Sequence, residues 1–517
     1  MSEKAAPVMA SSGASEAPPD TPYTTWTVRN RRLLVCLLGY LALASSLTAT
    51  IYFPLIELLA ERYAVSTQAI NLTITMFIVV QGITPSLWSP LSDSWGRRPV
   101  YLVTFAIFTA ASLGLSIVDR DYPALLMLRA LQSLGSSAVV SLAYATVSDV
   151  IVHSERGSYL APFLATVNVG PCIGPVVGGG VAMAAGDPRW CFRVLLIFGA
   201  SSALLVGFLM PETGRSIVGN GAVPARGLWR TWWDLIHCPV AFNATQASSS
   251  GGSGSDLGPS EPVGDVNRVK TGKGRFVVPN PLASLRLVFY RDAFLILWLS
   301  GLPSAILFCV QTSISPIFTQ RYGFNILQVS FCFLAGGAGV LAAGFVSGKL
   351  MDWNYKHVAG KAGFSIDRVR GDDMKNFPIE RARSRGSVTI IVVSMFAVVG
   401  YGWAVEFITH PAVPLVLQAY IGCKCATLHQ IYGALIVDVF PEKSGTAAAS
   451  KNITRCALAG LFVAVLDPTV QAMGYGWVFT LLGLVEAVTC VAAVITLNQC
   501  GHRWRSERLP EDSTEHR

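Results

Sequence analysis

Long apolar runs separated by short polar breaks extend along most of this 517-residue chain. A hydrocarbon core about 30 Å thick requires about 20 apolar residues per helical span. The continuous runs lack the alternation of β-barrel strands, so the sequence predicts an all-α polytopic membrane protein with twelve transmembrane helices in two six-helix bundles. The predicted spans lie at about 33–58, 67–90, 99–118, 123–148, 158–186, 190–210, 288–318, 327–351, 387–407, 411–437, 446–473 and 476–499.

The longest polar stretch divides the spans six and six. It contains a Ser/Gly run at 248–255 that cannot bury enough apolar surface to order itself. A tryptophan-rich segment at 228–236 either lies along the inner membrane surface or forms a plain loop. The predicted organisation is a disordered cytosolic N-terminus at 1–32, a bundle at 33–211, a cytosolic linker at 212–287, a second bundle at 288–499 and a cytosolic tail at 500–517.

The polar breaks of the two halves resemble each other. Residues 90–98 after span 2 resemble residues 348–356 after span 8, and residues 149–157 after span 4 resemble residues 438–445 after span 10, with Asp149 and Asp438 as counterparts. Two like-oriented repeats with a site between them near the midplane are typical of transporters that rock between two states.

Charge indicates topology rather than a nucleic-acid partner. Only 14% of residues are charged, the net charge is +8, and the basic residues lie in short gaps without a DNA- or RNA-binding pattern. Lys and Arg concentrate in the breaks that are inner if both termini are cytosolic. The 11 cysteines are scattered and read as reduced packing residues, and the polar first 30 residues contain no cleavable signal peptide.

The break between spans 2 and 3 contains a candidate conformational latch made of Asp93, Gly96, Arg97 and Arg98, with Asp352 as the repeat counterpart. A carboxylate beside two guanidinium groups at a helix end can pair with the other half and with a helix dipole, and such pairs can break. The alternative is a basic loop that only sets topology. The segment resembles the loop 2-3 signature of the major facilitator superfamily, although Ser89 or Pro90 stands where that family has glycine.

Span 4 places Arg129 and Gln132 well inside the predicted membrane segment. A charge there costs about 2.5 to 3.5 kcal/mol on insertion scales, so an intramembrane arginine is a functional candidate. The structural alternative is an arginine that caps a neighbouring helix through backbone carbonyls. The segment 128–135 is similar to the family's span 4 motif, with Ser133 replacing a glycine, and this resemblance implies a role in proton coupling.

Span 5 carries glycines at every fourth position, interleaved with prolines. Such a bare stripe lets another helix approach closely, and proline removes backbone donors, so a packed but bendable hinge is predicted. The hinge candidates are Gly170, Gly174, Pro175, Gly178 and Gly179. The segment 170–180 resembles the antiporter signature of the drug:proton antiporter branch.

Further ionisable residues lie within the C-terminal spans. Lys424 either pairs with Glu486, faces a cavity and attracts an anion, or extends to the headgroups. Glu486 is a candidate proton carrier because an apolar site favours the neutral carboxyl group. His429 reads as a packing residue. By depth alone, the candidates for a substrate cavity are Tyr144, Trp298, Gln311, Lys424, Tyr432 and Arg455.

Segments across nearly the whole chain, including 211–221, 377–383 and 452–456, resemble the fungal twelve-spanner multidrug exporters of the quinidine-resistance type. The resemblance implies the major facilitator fold and a plasma-membrane exporter driven by inward proton flow. Vacuolar or vesicular membranes are the alternative location. The implied partners are protons, lipid and a small-molecule substrate, with no nucleic acid, no metal and no cofactor beyond the proton gradient, and the chain is expected to act as a monomer.

The sequence leaves three candidate functions to weigh. The first is a proton-coupled exporter of small amphipathic drugs, toxins or secondary metabolites, and the second is a carrier of an organic anion such as a carboxylate metabolite. The third, a membrane enzyme or non-transporting sensor, lacks support because the sequence shows no acid-base pair, metal cluster or nucleotide loop. The sequence therefore predicts a transporter and not an enzyme.

Overall fold

The computed structural model describes residues 24–151, 155–221, 225, 227–237, 286–362, 379–440 and 444–508. Within these ranges the regular structure is entirely helical. The candidate membrane spans number ten, judged by length and composition. One of these ten, Thr446–Glu507, consists of two spans that meet at Gly474. The helix Ala412–Val439, 28 residues long, is a further span, which brings the described residues to twelve spans.

The N-terminal half contains the first six spans. Span 1 bends at a 3-10 turn, Phe53–Leu55, and span 4 combines Tyr122–Ser136 with Val139–Val150. The spans are Val28–Tyr63, Thr67–Trp95, Arg97–Ile117, Tyr122–Val150, Arg156–Ala185 and Trp190–Leu209.

The C-terminal half contains spans 7 to 12. Span 7 is Arg291–Arg321, span 8 is Ile326–Ala362, span 9 is Ile379–Glu406 and span 10 is Ala412–Val439. Spans 11 and 12 form the continuous segment Ser444–Arg508.

Local chemistry explains where several helices begin and end. Ser66 and Asp121 cap spans 2 and 4 by accepting hydrogen bonds from the backbone N–H groups of Ala69 and Ala124. Gly96 separates spans 2 and 3 with φ 98°, and Gly474 separates spans 11 and 12 with φ 78°. Glycine suits both positions because a side chain disfavours positive φ.

Each half forms its own bundle. Span 1 packs on span 5, and span 3 packs on spans 4 and 6, while in the second half span 8 packs on span 10 and span 9 on the segment of spans 11 and 12. The two halves meet along two seams, span 2 against span 11 and span 5 against span 8. The site between the halves is therefore bordered by these four helices.

The hydrogen bonds of the seams lie toward the side opposite the start of span 1 and the end of span 12, and we call this the outer side. Gln68 at the start of span 2 donates to the carbonyl of Ala464 at 2.6 Å, and Ser315 of span 7 donates to the carbonyl of Pro54 at 3.3 Å. The innermost of these hydrogen bonds joins Asn452 to the carbonyl of Gln81 at 3.1 Å. Toward the inner side, the ion pairs Arg97–Asp149 and Arg383–Asp438 each lie within one half.

The residues after span 6 depart from the predicted plain linker. Glu212 is buried, and a short helix, Trp232–His237, follows. The ring of Trp232 packs edge-on against Phe208 at 5.3 Å, and the Trp229 indole donates to the carbonyl of Trp95 at 2.8 Å. The first part of the predicted linker thus packs onto the inner ends of spans 2 and 6, while the Ser/Gly run lies outside the described residues.

Candidate functional site

The Arg129 guanidinium is fully buried in the N-terminal half, between spans 1, 2 and 4. It donates to Gln132 Oε1 at 2.8 Å and to the carbonyl of Thr48 at 3.4 Å, and it lies 4.6 Å from the ring centroids of both Tyr52 and Phe77. Cation–π contacts contribute about 2 kcal/mol when desolvated, so the two rings offset part of the burial cost. The guanidinium faces the bundle interior rather than the lipid.

Arg129 keeps unused hydrogen-bonding capacity. Its Nε and one terminal nitrogen have no hydrogen-bond partner among the described atoms. Gln132 in turn donates to Ser112 Oγ at 2.9 Å, which ties span 4 to span 3. The bond to the Thr48 carbonyl fits the helix-capping alternative. The unpartnered nitrogens leave Arg129 able to donate hydrogen bonds to a further group. Its role in proton coupling stays a prediction.

The predicted latch is held within the N-terminal half. Arg97 pairs with Asp93 at 2.6 Å and with Asp149 at 2.9 Å, and Arg98 donates to the carbonyl of Gly207 at 2.8 Å. These partners belong to spans 2, 4 and 6, so the contacts described for Arg97 and Arg98 lie within the N-terminal half. Pairing of the latch with the other half stays a prediction.

Glu212 is a buried residue beside the predicted latch, and the sequence did not single it out. Its carboxylate accepts hydrogen bonds from the backbone N–H groups of Arg97, Thr213 and Gly214 at 2.8 to 3.0 Å and of Arg98 at 3.2 Å. It thereby caps span 3, where a negative charge is favoured by the helix dipole. A Cβ at Gly96 would lie 2.5 Å from Glu212 Oε2, so only glycine leaves room for the carboxylate.

The C-terminal half carries a related set of inner ion pairs. Arg383 pairs with Asp438 at 3.0 Å, and Arg505 pairs with Glu380 at 3.4 Å. Asp438 is the repeat counterpart of Asp149. Each pairs with an arginine at the inner start of the span before its own, Asp149 with Arg97 of span 3 and Asp438 with Arg383 of span 9. Asp352 lies on span 8, and its side chain is outside the described part of the chain.

The glycine stripe of span 5 faces span 1. A Cβ at Gly170, Gly174 or Gly178 would overlap Ser46 Oγ, Thr50 Oγ1 or the Ile51 carbonyl. Pro175 lies within this helix. The stripe therefore permits a close contact between two helices, and its role as a hinge stays a prediction.

Gly179 lies on a different face of span 5. A Cβ there would overlap Ser330 Oγ of span 8, in the other half. A Cβ at Gly180 would meet nothing within 4 Å. Span 5 thus touches span 1 on one side and the opposing half on another, which places it directly on the seam.

Lys424 and Glu486 form a buried ion pair between spans 10 and 12. Both side chains are 1% exposed, and Ser394 of span 9 also donates to Glu486 at 3.4 Å. This is the first of the alternatives that the sequence left open for Lys424. The charge of Lys424 is balanced in this pair, and its role as a cavity residue stays a prediction.

Two of the aromatic cavity candidates make contacts within the C-terminal half. Trp298 donates its indole N–H to Thr489 of span 12 at 3.1 Å, and Tyr432 belongs to the apolar core of that half. Their roles as cavity residues stay predictions. Gln311 is buried at 8% exposure, and its cavity role stays a prediction.

A cavity of about 710 Å³ opens between the inner halves of spans 1 and 5. Its walls include Arg32, Cys36, Glu155, Tyr159, Phe163 and Thr166. Tyr144 lies beside it, with its ring edge-on to Phe163 at 5.5 Å. A space of this size suits a small organic molecule, for which pockets of about 300 to 1,000 Å³ are usual.

Two cations on span 11 border the seam. Arg455, which the sequence singled out, and Lys451, which it did not, are both half-buried. Lys451 donates to the carbonyl of His429 at 3.1 Å, and Arg455 donates to Asn452 Oδ1 at 3.0 Å. Neither forms a salt bridge with a carboxylate of the described residues.

Comparison with known proteins gives one family. The sequence profile of the Major Facilitator Superfamily matches residues 38–464. The chain is 33% identical over 493 residues to the MFS-type transporter phiD of Fungal sp. (strain ATCC 74256), covering 95% of this chain and 72% of the relative. It is 32% identical over 501 residues to Citrate exporter 1 of Aspergillus niger, covering 96% and 90%.

Among solved structures, the human organic anion transporter MFSD10 (TETRAN) aligns with 90% of this chain and 100% of its own. The sequence identity is 17% and the TM-score is 0.49.

Proposed function

Because this chain belongs to the major facilitator superfamily and is a multi-pass membrane transporter rather than an enzyme, we propose that it is a proton-coupled secondary active transporter. It exports small amphipathic drugs, toxins or secondary metabolites from the cytosol by alternating access at the plasma membrane. The proton gradient supplies the energy, and no cofactor is required.

The observation that carries this proposal is the one-sided contact between the halves. They touch from the outer ends of spans 1, 2 and 7 down to Asn452 at mid-depth, and the latch groups on the inner side pair within their own halves. A crevice that is closed outside and open inside is one of the two end states of a rocking transporter. Cargo would enter this state from the cytosolic side.

Proton coupling is assigned to Arg129, Gln132 and Glu486. Glu486 follows Gly474 by 12 residues, which places it about 18 Å along span 12. Protonation of Glu486 would neutralise one member of its pair with Lys424 and leave the lysine charge unbalanced, an unfavourable arrangement that favours a rearrangement of spans 9, 10 and 12. Arg129 and Gln132 provide the polar group in the opposite half.

Proteoliposomes with an imposed pH gradient test this function. The wild-type protein is expected to move a fluorescent amphipathic cation such as ethidium only when the gradient is present. Glu486→Gln is expected to retain ethidium binding and to lose the dependence on the gradient, whereas Glu61→Gln, a change at an exposed outer residue, is expected to behave as wild type. Gradient-independent movement by the wild-type protein would end the proton-coupled proposal.

Export of an organic anion is the second candidate function. It is favoured by Lys451 and Arg455, two cations beside the seam that lack a carboxylate partner in the described structure. The similarity to a protein named as a citrate exporter points in the same direction. Gradient-driven uptake of citrate by the same proteoliposomes would select this candidate over the first.

A further inference from the structure

We infer that Lys451 and Arg455 form a binding subsite for the carboxylate groups of an anionic cargo, flanked by His429, at the depth where the two halves separate. The inference rests on the proposed transport function and names the cargo chemistry of one site within it. It concerns a place on span 11 next to spans 7, 10 and 2.

The two cations lie on one face of span 11. They are four residues apart, so their side chains emerge one turn apart, with Cβ atoms about 6 Å from each other. Gly433 of span 10 makes room for the lysine, because a Cβ there would overlap Lys451 Nζ. Gly301 of span 7 similarly lies against the backbone of Arg455, where an added Cβ would sit 3.7 Å from the Arg455 Cα. Three spans therefore converge on the pair.

The pair differs in its electrostatics from the basic groups of the spans that have a carboxylate partner. Lys424 is balanced by Glu486, Arg97 by Asp149 and Arg383 by Asp438. Lys451 and Arg455 instead donate to a backbone carbonyl and to an amide oxygen, which carry no charge. Two like charges one helical turn apart repel each other. A bound anion would supply the missing countercharge.

The donors suit carboxylates in particular. A guanidinium group binds a carboxylate through two parallel N–H···O bonds, and an ammonium group adds a point charge with three donors. Two cations one turn apart match a molecule with two or more carboxylate groups better than a single compact anion. Di- and tricarboxylates are therefore the class of cargo that the subsite fits.

The position of the subsite also links binding to the contact between the halves. Arg455 donates to Asn452 Oδ1, and the amide of Asn452 donates to the carbonyls of Gln81 and Gly82 in span 2. A carboxylate that takes over Arg455 removes one partner of Asn452. Cargo binding would thus change the innermost hydrogen bond of the seam, as a transporter that moves only when loaded requires.

Isothermal titration of the purified full-length protein with citrate tests the subsite. Wild-type protein is expected to bind citrate, and Lys451→Ala or Arg455→Ala is expected to weaken binding about tenfold or more, because a charge-assisted bond is lost. Lys451→Arg is expected to stay within about threefold of wild type, since it keeps the charge and the donors. Arg193→Ala is the matched control. It removes a cation of span 6, in the N-terminal half, where Arg193 lies over the ring of Trp190.

Two outcomes would overturn the inference. One is the absence of binding of citrate, malate and succinate to folded wild-type protein, and the other is unchanged citrate affinity in Lys451→Ala and Arg455→Ala proteins that elute and melt as wild type. The ethidium assay separates this failure from failure of the transport proposal. Gradient-driven ethidium movement without citrate binding would reject only the proposed subsite. Citrate binding without gradient-driven movement would reject only the proposed proton coupling.

Discussion

Asn452 of span 11 donates its side-chain amide to the backbone carbonyl of Gln81 in span 2, a 3.1 Å bond that joins the two halves at mid-depth. A buried hydrogen bond contributes about 1 kcal/mol net. Asn452→Ala is therefore expected to shift the ratio of outward-closed to outward-open molecules by about fivefold toward the open state.

Spin-label distances between positions 61 and 408, on the outer side of opposite halves, measure this shift. The Asn452→Ala distribution is expected to gain a longer component. Ser201→Ala is the control, because the Ser201 hydroxyl bonds Tyr40 at 2.8 Å within one half. Identical distributions for wild type and Asn452→Ala would show that the bond does not hold the outer side closed.

The buried Lys424–Glu486 pair predicts strong non-additivity. Lys424→Met leaves a buried carboxylate without its countercharge, at a cost of about 3 to 5 kcal/mol, whereas Lys424→Met/Glu486→Leu replaces both charges by apolar groups and is expected to be close to neutral. Thermal unfolding in detergent measures both. The pairing would be contradicted if Lys424→Met were as stable as wild type, or if Lys424→Met/Glu486→Leu were less stable than Lys424→Met.

Glu212 is predicted to stabilise the inner end of the N-terminal half. In Glu212→Gln the amide NH₂ cannot accept from backbone N–H groups, so the hydrogen bonds made by one of the two oxygens are lost, at a cost of about 1 to 3 kcal/mol. Glu155→Gln is the control, because that side chain is 51% exposed in its ion pair with Arg31 and is expected to change stability by less than about 1 kcal/mol. Equal melting temperatures for the two variants would refute the capping role.

Gly178 and Gly180, two positions apart on span 5, distinguish the effect of close packing from the effect of glycine on helix stability. Gly178→Ala places a methyl group against the Ile51 carbonyl and is expected to lower folded yield and transport severely. Gly180→Ala meets nothing within 4 Å and is expected to be tolerated or slightly stabilising, because alanine favours the helix. Initial transport rates, normalised to folded protein, check the pair, and similar losses at both positions would argue against the stripe.

The outer ion cluster predicts a pH dependence. Burial raises the pKa of Asp187, but the hydrogen bonds from Arg189 at 2.9 and 3.0 Å and the Arg62 charge at 3.3 Å outweigh it, and the net pKa is lowered. Since the folded-state pKa lies below the unfolded value of about 3.9, the contribution to stability is complete above that value and is lost as pH falls through the folded pKa.

Melting curves of wild type and Asp187→Asn from pH 7 to pH 3 measure this contribution. The stability difference is expected to be modest, because the side chain is 20% exposed, constant between pH 7 and about 5, and to shrink below about pH 4. Glu61→Gln serves as the exposed outer control. A difference that grows toward low pH would reverse the assigned sign.

Much of the fold was predictable because span length and apolar continuity are local properties of the sequence. The twelve spans and the position of Arg129 inside span 4 follow from them. Glu212 was missed because its partners are backbone N–H groups, which leave no mark in the sequence, and because it begins a stretch that reads as polar linker. Lys451 was missed because its partner is a backbone carbonyl, which likewise leaves no mark in the sequence.

The direction of side chains around each helix was the least predictable property. Trp298 donates to Thr489 of span 12, and Tyr432 lies in the apolar core of the C-terminal half, which the depth of these residues along their helices did not indicate. The choice among alternatives for Lys424 depended on whether span 12 brings Glu486 beside it, a contact between residues 62 positions apart. Hydrophobic pattern gives the depth of a residue, whereas the packing partners of its helix give its direction.

The shallow depth of the outer seam sets how strongly a cargo must bind to turn the transporter over. In the described part of the chain, five side chains donate hydrogen bonds across it, namely Gln68, Thr75, Ser315, Gln320 and Asn452. At about 1 kcal/mol each, these bonds total about 5 kcal/mol. A ligand offsets such a difference only by binding the outward-open state more tightly than the outward-closed one, and about 5 kcal/mol corresponds to a ratio of about 5,000 between the two dissociation constants.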